Sequence, residues 1–440
     1  MHLYITIKPF LLWSPNSFCS RLHLIKVMIS LLEKPHPNSI NNLIRAMFTT
    51  VLIIILVLAS SSQFAISSPS ATSPSNMGPE AEALLEWKAS LDNHSQFQLS
   101  SWVGNVPCQW VGISCNNFSS ISHINLIGSA LKGTLHTFNF SCLHSLVSLD
   151  LSHNVLFGTI PSHLGNLSKL IHLNLSVNHL SGRIPSELCQ LTSLRILDLY
   201  TNYITGSIPL SIGNLSNLIY MDLGLNKLSG SLPQELGNLT SLRRLFWDGN
   251  KLSGSICNEI GMLKSLTWLA LQDNNLSSSI PTSIGNLGNL SALFLNDNKL
   301  SGPIPLEIGK LGSLLQLGLY TNNLSGLIPT SIGNLTNLYL LSLAENNLWG
   351  SIPSSLGNMK NLKTLQLFMN KLSGNIPLEI GKLKLLTALE LFTNELNGFI
   401  SFEFNNLTNL QYLGLEENML TGLRIREKFL ITSQSHKKKE

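Results

Sequence analysis

Leucines recur along most of this chain in a fixed phase, three and then two residues apart, with polar residues between them, as in Leu170, Leu173 and Leu175. The Leu-x-Leu half alternates with period two. It therefore predicts a short strand with its leucines facing inward and the intervening residues outward. An asparagine follows three residues later, and it returns at 154, 178, 202, 226, 250, 274, 298, 322, 346, 370, 394 and 418, every 24 residues without a slip. Around it stands Leu-x-x-Leu-x-Leu-x-x-Asn-x-Leu-x-Gly-x-Ile-Pro-x-x-Leu/Ile-Gly-Asn-Leu; one copy continues through Asn178, Leu180, Gly182, Ile184, Pro185, Leu188 and Leu191. A degenerate first copy begins near Ile121, with Ser129 in the place of the asparagine.

Each part of the unit has a physical reason. The asparagine falls where the chain leaves the strand, and its amide can satisfy backbone groups of a buried turn. Proline and glycine then predict extended and 3₁₀-like turns in place of a continuous helix. One unit cannot bury its leucines alone, so twelve must stack. The expected architecture is an α/β-class solenoid, a horseshoe or superhelix, with a parallel sheet on its concave face and 3₁₀ or extended turns on its convex face.

The N-terminus follows another pattern. Val51–Leu58 is an unbroken apolar run followed by small residues. It is shorter than the ~20 residues that span a bilayer, and it matches the apolar core of a secretory signal. Met47 stands just upstream. The expected organisation is an upstream extension over 1–46, a signal peptide or uncleaved signal anchor over 47–68, a linker over 69–79, a cap over 80–118, repeats over 119–423 and a basic tail over 424–440.

Charge changes the picture once it is divided. Residues 1–46 hold five Lys/Arg and one Glu, and residues 424–440 hold six and two, so the formal +4 of the whole chain comes from its ends. Between them 17 basic and 21 acidic residues leave the solenoid mildly acidic, which excludes a nucleic-acid footprint. Charged residues are only 12% of the chain, and Asn, Ser and Thr carry the polarity, as suits a glycosylated extracellular surface.

Of six cysteines only Cys108 and Cys115 lie close together. Their spacing does not fit a zinc knuckle, and a local disulfide is expected in a secretory setting. Cys142, Cys189 and Cys257 are expected as buried thiols, each replacing a residue of the repeat.

Two motifs carry a family resemblance. The Leu-x-Gly-x-Ile-Pro signature resembles the plant type of leucine-rich repeat. Ahead of it, Glu82-Ala-Leu-Leu-Glu-Trp-Lys88, Ser101-Trp102 and Pro107-Cys108-Gln-Trp110-Val-Gly112-Ile-Ser-Cys115 resemble the N-terminal cap of plant leucine-rich-repeat receptor-like kinases. The resemblance covers about 80–423. It implies a ligand-binding ectodomain, a secreted peptide or protein ligand, and a co-receptor kinase that also carries leucine-rich repeats. It further implies the cell surface, plasma membrane or apoplast, and a part in defence or development. In that family a membrane helix and a kinase follow. Here Thr421-Gly422 leads instead into Leu-Arg-Ile-Arg-Glu-Lys-Phe, and no kinase loop occurs, so a truncated receptor is expected and no kinase activity is carried over. Membrane attachment is expected only through an uncleaved N-terminal segment or a missing C-terminal part.

Function is sought in the outward strand positions, which form columns along the concave face. The selected ligand-binding candidates are Asp198, Tyr200, Tyr220, Asp222, Arg244, Phe246, Asp248, Trp268, Phe294, Asn296, Tyr320, Phe368 and Phe392. Aromatics are 7% of the chain, yet several point to this open face beside charged groups, as a recognition surface requires. The competing reading is that the rings merely pack on neighbouring rows.

Expected glycosylation sites are Asn93, Asn117, Asn139, Asn166, Asn214, Asn238, Asn275, Asn289, Asn323, Asn334 and Asn406; the sequon at Asn174 would lie on the concave face and stay unmodified. Histidines gather early, at 123, 136, 144, 153, 163, 172 and 179, without a metal spacing, and are expected on solvated turns. No Walker loop, zinc-protease helix or nucleophile elbow occurs, so binding without catalysis, cofactor or metal is expected. Two other readings are a secreted inhibitor of a foreign hydrolase such as polygalacturonase, whose class closes with a C-terminal cysteine cap, and a non-functional receptor fragment.

Overall fold

The computed structural model describes residues 78–421. The expected extension (1–46), signal segment (47–68), most of the linker (69–77) and the basic tail (424–440) lie outside the described residues.

Two helices, α1 (Pro79–Ser90) and α2 (Asn93–Gln98), open the described part. Proline starts α1, where its missing N–H costs nothing. Asp92 caps α2 by accepting a hydrogen bond from the backbone N–H of Ser95 at 2.8 Å. Helix α1 buries Ala81, Leu84 and Trp87 against the first repeat, and the Trp87 indole donates to Thr134 O at 2.9 Å.

Beyond the cap a fourteen-stranded sheet runs from Ile113–Cys115 to Tyr412–Gly414, its strand order following the chain. The first pair is antiparallel and the rest are parallel, with no slip along the repeats: Met221 faces Leu197 on one side and Leu245 on the other. Each repeat then turns through a five-residue 3₁₀ segment such as Ser186–Gln190. The inward leucines form one continuous core along the described residues. Trp247 takes a leucine position in that core, and the repeat before it supplies flexible Met221 beside the larger ring, with Nε1 and Sδ 3.2 Å apart.

A second, thirteen-stranded sheet was not expected. The Asn-x-Leu-x-Gly segment, read from sequence as the start of the turns, pairs with its neighbours through short ladders such as Ser229 with Lys251 and Gly230 with Leu252. A left-handed glycine lies at or next to the end of most of these strands, at φ +83° in Gly230. Four residues such as Lys227–Gly230 are too few to display a period of two.

The asparagine ladder takes the form the pattern suggested. Asn226 donates through Nδ2 to the carbonyls of Leu199 (2.9 Å), Leu223 (3.1 Å) and Gly224 (3.1 Å), and its Oδ1 accepts from the N–H of Ile204 (3.0 Å). The residue just before each asparagine is left-handed even when β-branched, as in Val177 (φ 53°) and Thr201 (φ 50°). That conformation costs ~1–2 kcal/mol per residue, and the asparagine bonds offset it.

Tight stacking sets the other invariant of the turn. A Cβ on Gly309 would lie 2.3 Å from Ser331 O in the next repeat, so the contact admits little beyond hydrogen there. Cys189 takes the same place in its own repeat and is buried, as expected. Cys142 and Cys257 correct the expectation, for both are only half-buried. Cys257 stands where other repeats have the proline of Ile-Pro, at the rim of the turn, with its thiol 3.7 Å from Pro233 O.

Candidate functional site

The concave sheet exposes one side chain in two along each strand, and parallel pairing stacks these into columns. Tyr220, Arg244 and Trp268 form one column by direct pairing. Asp198, Asp222, Phe246, Ala270, Phe294 and Gly318 form the next. Tyr200, Asp248, Asn296 and Tyr320 stand two places further along their chains and line the same face.

The structure joins four of the candidates into a zigzag ladder of rings. Tyr220 and Phe246 have centroids 5.7 Å apart, Phe246 and Trp268 6.0 Å, and Trp268 and Phe294 6.0 Å, all tilted. Small neighbours make room for it: Ala270 and Ala292 are buried beside the rings, and a Cβ on Gly318 would lie 2.9 Å from Phe294 Cδ1. The rings are half-buried, so they pack on neighbouring rows and still present an edge to the groove. The packing on neighbouring rows is therefore observed, and the recognition role stays a proposal.

Phe368 and Phe392 form a separate, stacked pair with centroids 4.4 Å apart and no ring contact to the ladder. The predicted set is therefore two patches. Gln366 donates to Glu390 at 3.0 Å beside the second patch.

Acceptors border the ladder. Asp222 Oδ1 accepts from the N–H of Gly224 at 2.9 Å, and its Oδ2 accepts from the Tyr220 hydroxyl at 3.1 Å. Asp198 Oδ1 accepts from the N–H of Tyr200 at 3.1 Å. Burial lifts the Asp198 carboxyl to about 6, with Asp150 adding to the rise and the Tyr200 N–H opposing it. Burial, helped by Asp198 and Asp248, lifts Asp222 to about 7. Burial raises Asp248 too, with Asp273 contributing, and pushes the Tyr220 phenol far up, aided by Asp222 and Asp198. Arg244, exposed in the neighbouring strand, acts on Tyr220 in the opposite sense.

These shifts have a sign that can be measured. In an unfolded chain both carboxyls titrate near 3.9, so the folded protein binds more protons across the interval up to about 7. Their contribution to stability is complete below about pH 4 and is lost as pH rises through 6 to 7. The melting temperature should therefore fall by a few degrees between pH 5 and pH 8. Asp222→Asn should flatten that fall; an equally steep profile in the variant would show that Asp222 does not govern it.

Sequence reasoning passed over Gln272. Its Oε1 is buried with no hydrogen-bond partner, as is Asn296 Oδ1 one repeat on. Column membership was the available signal, since Gln272 stands between Asp248 and Asn296 in the same row.

The histidines need correction. His123 and His172 lie on concave strands and not on turns: Ser122 Oγ lies 2.9 Å from His123 Nδ1, and Ser148 Oγ lies 3.0 Å from His172 Nδ1. His163 packs on Phe140 at 5.6 Å with Nε2 3.0 Å from Phe138 O, and His179 begins a strand of the second sheet beside Tyr203. His172 precedes Leu173 as Tyr220 precedes Met221, so column counting could have placed it on the concave strand. Asp150 lies close by, but its carboxylate accepts from Ser152 and Asn174, so Ser148, His172 and Asp150 form no relay.

Cys108 and Cys115 are joined by a disulfide, with Cα atoms 5.5 Å apart. Among the glycosylation candidates Asn93, Asn117, Asn139, Asn166, Asn214, Asn238, Asn289, Asn323, Asn334 and Asn406 are exposed, and Asn275 is half-buried. The Asn289 amide donates to Lys264 O at 2.9 Å, so a glycan there would break an inter-repeat bond. The Asn174 amide donates to Asp150 at 3.1 Å on the concave face. Among the described residues no helix is long and apolar enough to cross a membrane.

Comparison with known proteins follows the same division into cap and repeats. A leucine-rich-repeat N-terminal domain model matches residues 77–116, and a leucine-rich-repeat model matches eight stretches from 145–167 to 361–383. A probable leucine-rich repeat receptor-like protein kinase of Arabidopsis thaliana is 44% identical over 94 residues, 20% of this chain and 8% of that protein. MDIS1-interacting receptor like kinase 2 from the same plant is 42% identical over 124 residues, covering 27% and 11%. Among solved structures, PEPR1-AtPEP1 superposes with a TM-score of 0.70 at 37% identity, over 79% of this chain and 52% of that one. The peptide hormone receptor RGFR1 in complex with RGF2 gives 0.63 at 40% identity, over 72% and 53%. A Leptospira interrogans leucine-rich-repeat protein gives 0.50 at 32% identity, over 68% and 85%. The chain thus spans about half of the plant receptor structures it matches, and the aligned part is about a tenth of the curated kinases. It belongs to the leucine-rich-repeat family, and its relatives include plant leucine-rich-repeat receptor-like kinases.

Proposed function

We propose that this chain is an extracellular recognition domain that binds an extended peptide along its concave sheet, as the ectodomain part of a plant receptor. The observation that carries the reading is the ring ladder from Tyr220 to Phe294, bordered by half-buried acceptors on an open parallel sheet. Rigid rings hold a ligand at little entropic cost, and polar groups beside them select it. Two of the matched structures support it: one is a peptide hormone receptor in complex with RGF2, the other a receptor kinase ectodomain in complex with CASPARIAN STRIP INTEGRITY FACTOR 2.

The compartment follows from chemistry. The Cys108–Cys115 bridge needs an oxidising environment, which agrees with secretion and with glycans on the exposed sequons. We place the protein at the cell surface or in the apoplast, where a co-receptor kinase with its own leucine-rich repeats is the expected second partner. A part in defence belongs to the same reading.

The test is binding. The wild-type protein is used to select peptides from a synthetic library, and affinities are then measured with Phe246, Phe294 and Tyr320 changed together to Ala. Affinity for the selected peptides should fall by roughly 100-fold, as expected when several buried aromatic anchors are truncated. An unchanged affinity would remove the concave face from the ligand's path.

A further inference from the structure

Acceptors that find few donors run across two adjoining columns of the concave face. Asp222, Asp248, Gln272 and Asn296 occupy four successive repeats, and Asp198 precedes them. Asp222 and Asp248 converge: a Cβ on Gly224 would lie 3.1 Å from an Oδ1 of each, and 3.3 Å from the Tyr200 ring. No lysine or arginine among the described residues figures among the influences on Asp198, Asp222 or Asp248. Arg244 acts on Tyr220, its pairing partner in the neighbouring column.

An independent observation comes from the same face. Asn296 is only 3% exposed, yet its Oδ1 has no partner; its Nδ2 is committed to Asp297 Oδ2 at 2.8 Å, which fixes the bare oxygen's direction. That oxygen lies beside the Phe294 ring, 3.1 Å from where a Cβ on Gly318 would stand. Gln272 Oε1, one repeat earlier, is unpartnered as well. Buried acceptors of this kind are costly unless a donor reaches them.

Resting on the reading of this face as a peptide site, we infer that the stretch from Asp198 to Asn296 receives a basic side chain of the ligand, Arg or Lys, and that an adjoining apolar residue lies on the Tyr220–Phe294 ladder. Three carboxyls and two bare amide oxygens make this stretch rich in acceptors, and a cation seated among them would favour the ionised form of Asp198 and Asp222. A cation brings several N–H donors with its charge, and the flanking rings add cation–π attraction. An oligosaccharide would need donors and acceptors interleaved with flat ring faces. These rings are tilted by 39–53° to one another, and acceptors outnumber donors beside them.

The experiment uses the secreted full chain and an array of synthetic nonapeptides randomised over basic, acidic, aromatic, aliphatic and hydroxyl residues. Bound peptides should be enriched in Arg or Lys within about three residues of an aromatic or aliphatic one. In the Asp198→Asn, Asp222→Asn, Asp248→Asn variant, affinity for basic peptides should fall at least roughly tenfold. Their alanine-for-basic analogues should bind variant and wild type alike. These substitutions keep shape, and a melting curve confirms folding. Peptides that bind without basic enrichment, or whose basic preference survives in the variant, overturn this inference and leave the peptide-site reading standing. An array that stays unbound while oligogalacturonides or chito-oligosaccharides bind overturns both.

Discussion

Asn226→Ala should destabilise the repeat array by roughly 3–5 kcal/mol and loosen it first between the third and fifth asparagine repeats. The bonds are not equivalent. The carbonyls of Leu199 and Leu223 also accept from Asn202 and Asn250, and Gly224 O accepts from the N–H of Thr201, so each keeps a partner when the amide is removed. The N–H of Ile204 has only Asn226 Oδ1, and it would be left buried and alone. One orphaned donor costs about 1–3 kcal/mol, and the lost amide bonds about 1 kcal/mol each. Asn226→Asp separates these effects. It keeps an acceptor for Ile204 but turns a carboxylate oxygen toward three carbonyls, so at neutral pH it should be at least as damaging. Hydrogen exchange at Ile204 and chemical denaturation measure both variants; a loss below about 1 kcal/mol for the alanine would show that the ladder is not what holds adjacent repeats together.

Trp87→Ala should detach the cap, with a cost of about 3–5 kcal/mol for a fully buried indole. Trp87 stacks on Phe138 with centroids 4.6 Å apart and leans on Trp102 at 6.2 Å. Trp102 in turn stacks on Trp110 at 5.5 Å, and Phe138 touches Phe140 at 4.3 Å. The ring series thus runs from the disulfide loop through α1 into the first repeats. Removing Trp87 leaves a cavity there and frees the Thr134 carbonyl that its indole serves. Trp87→Phe should recover part of the packing but not that bond. Limited proteolysis should cut the alanine variant before about residue 140 while the repeats beyond 250 stay protected. Uniform loss of protection along the whole chain would mean that the cap and the repeats melt as one unit.

Much of this molecule could be read because its unit is long and strict. The columns of Leu173, Leu197 and Leu245 and the role of Asn178 follow from period and position alone. The second sheet could not be read, since Lys227–Gly230 is too short to declare a period and its pairing depends on how the neighbouring repeat is rotated. Gly309 was legible as a turn residue, but its physical reason, a neighbour's carbonyl 2.3 Å from where a Cβ would stand, belongs to stacking between repeats. The site was half legible. Column counting located Phe246 and Trp268, whereas the break between Phe294 and the Phe368–Phe392 pair, and the bare oxygen of Gln272, depend on rotamers. His172 was misjudged because the histidines were read as one early cluster, whereas its place just before Leu173 put it on the concave strand.

The asparagine bonds also have a direction. Asn226 reaches back to Leu199, 27 residues earlier, and serves the N–H of Ile204, 22 residues earlier, so a repeat satisfies the one already made and waits for the next. For a chain that leaves the ribosome N-terminus first, this makes assembly a one-way ratchet. The folded front trails synthesis by about one repeat, and each new asparagine locks the turn behind it. A stalled or substituted asparagine would then halt growth of the horseshoe at that point while the completed repeats upstream stay closed.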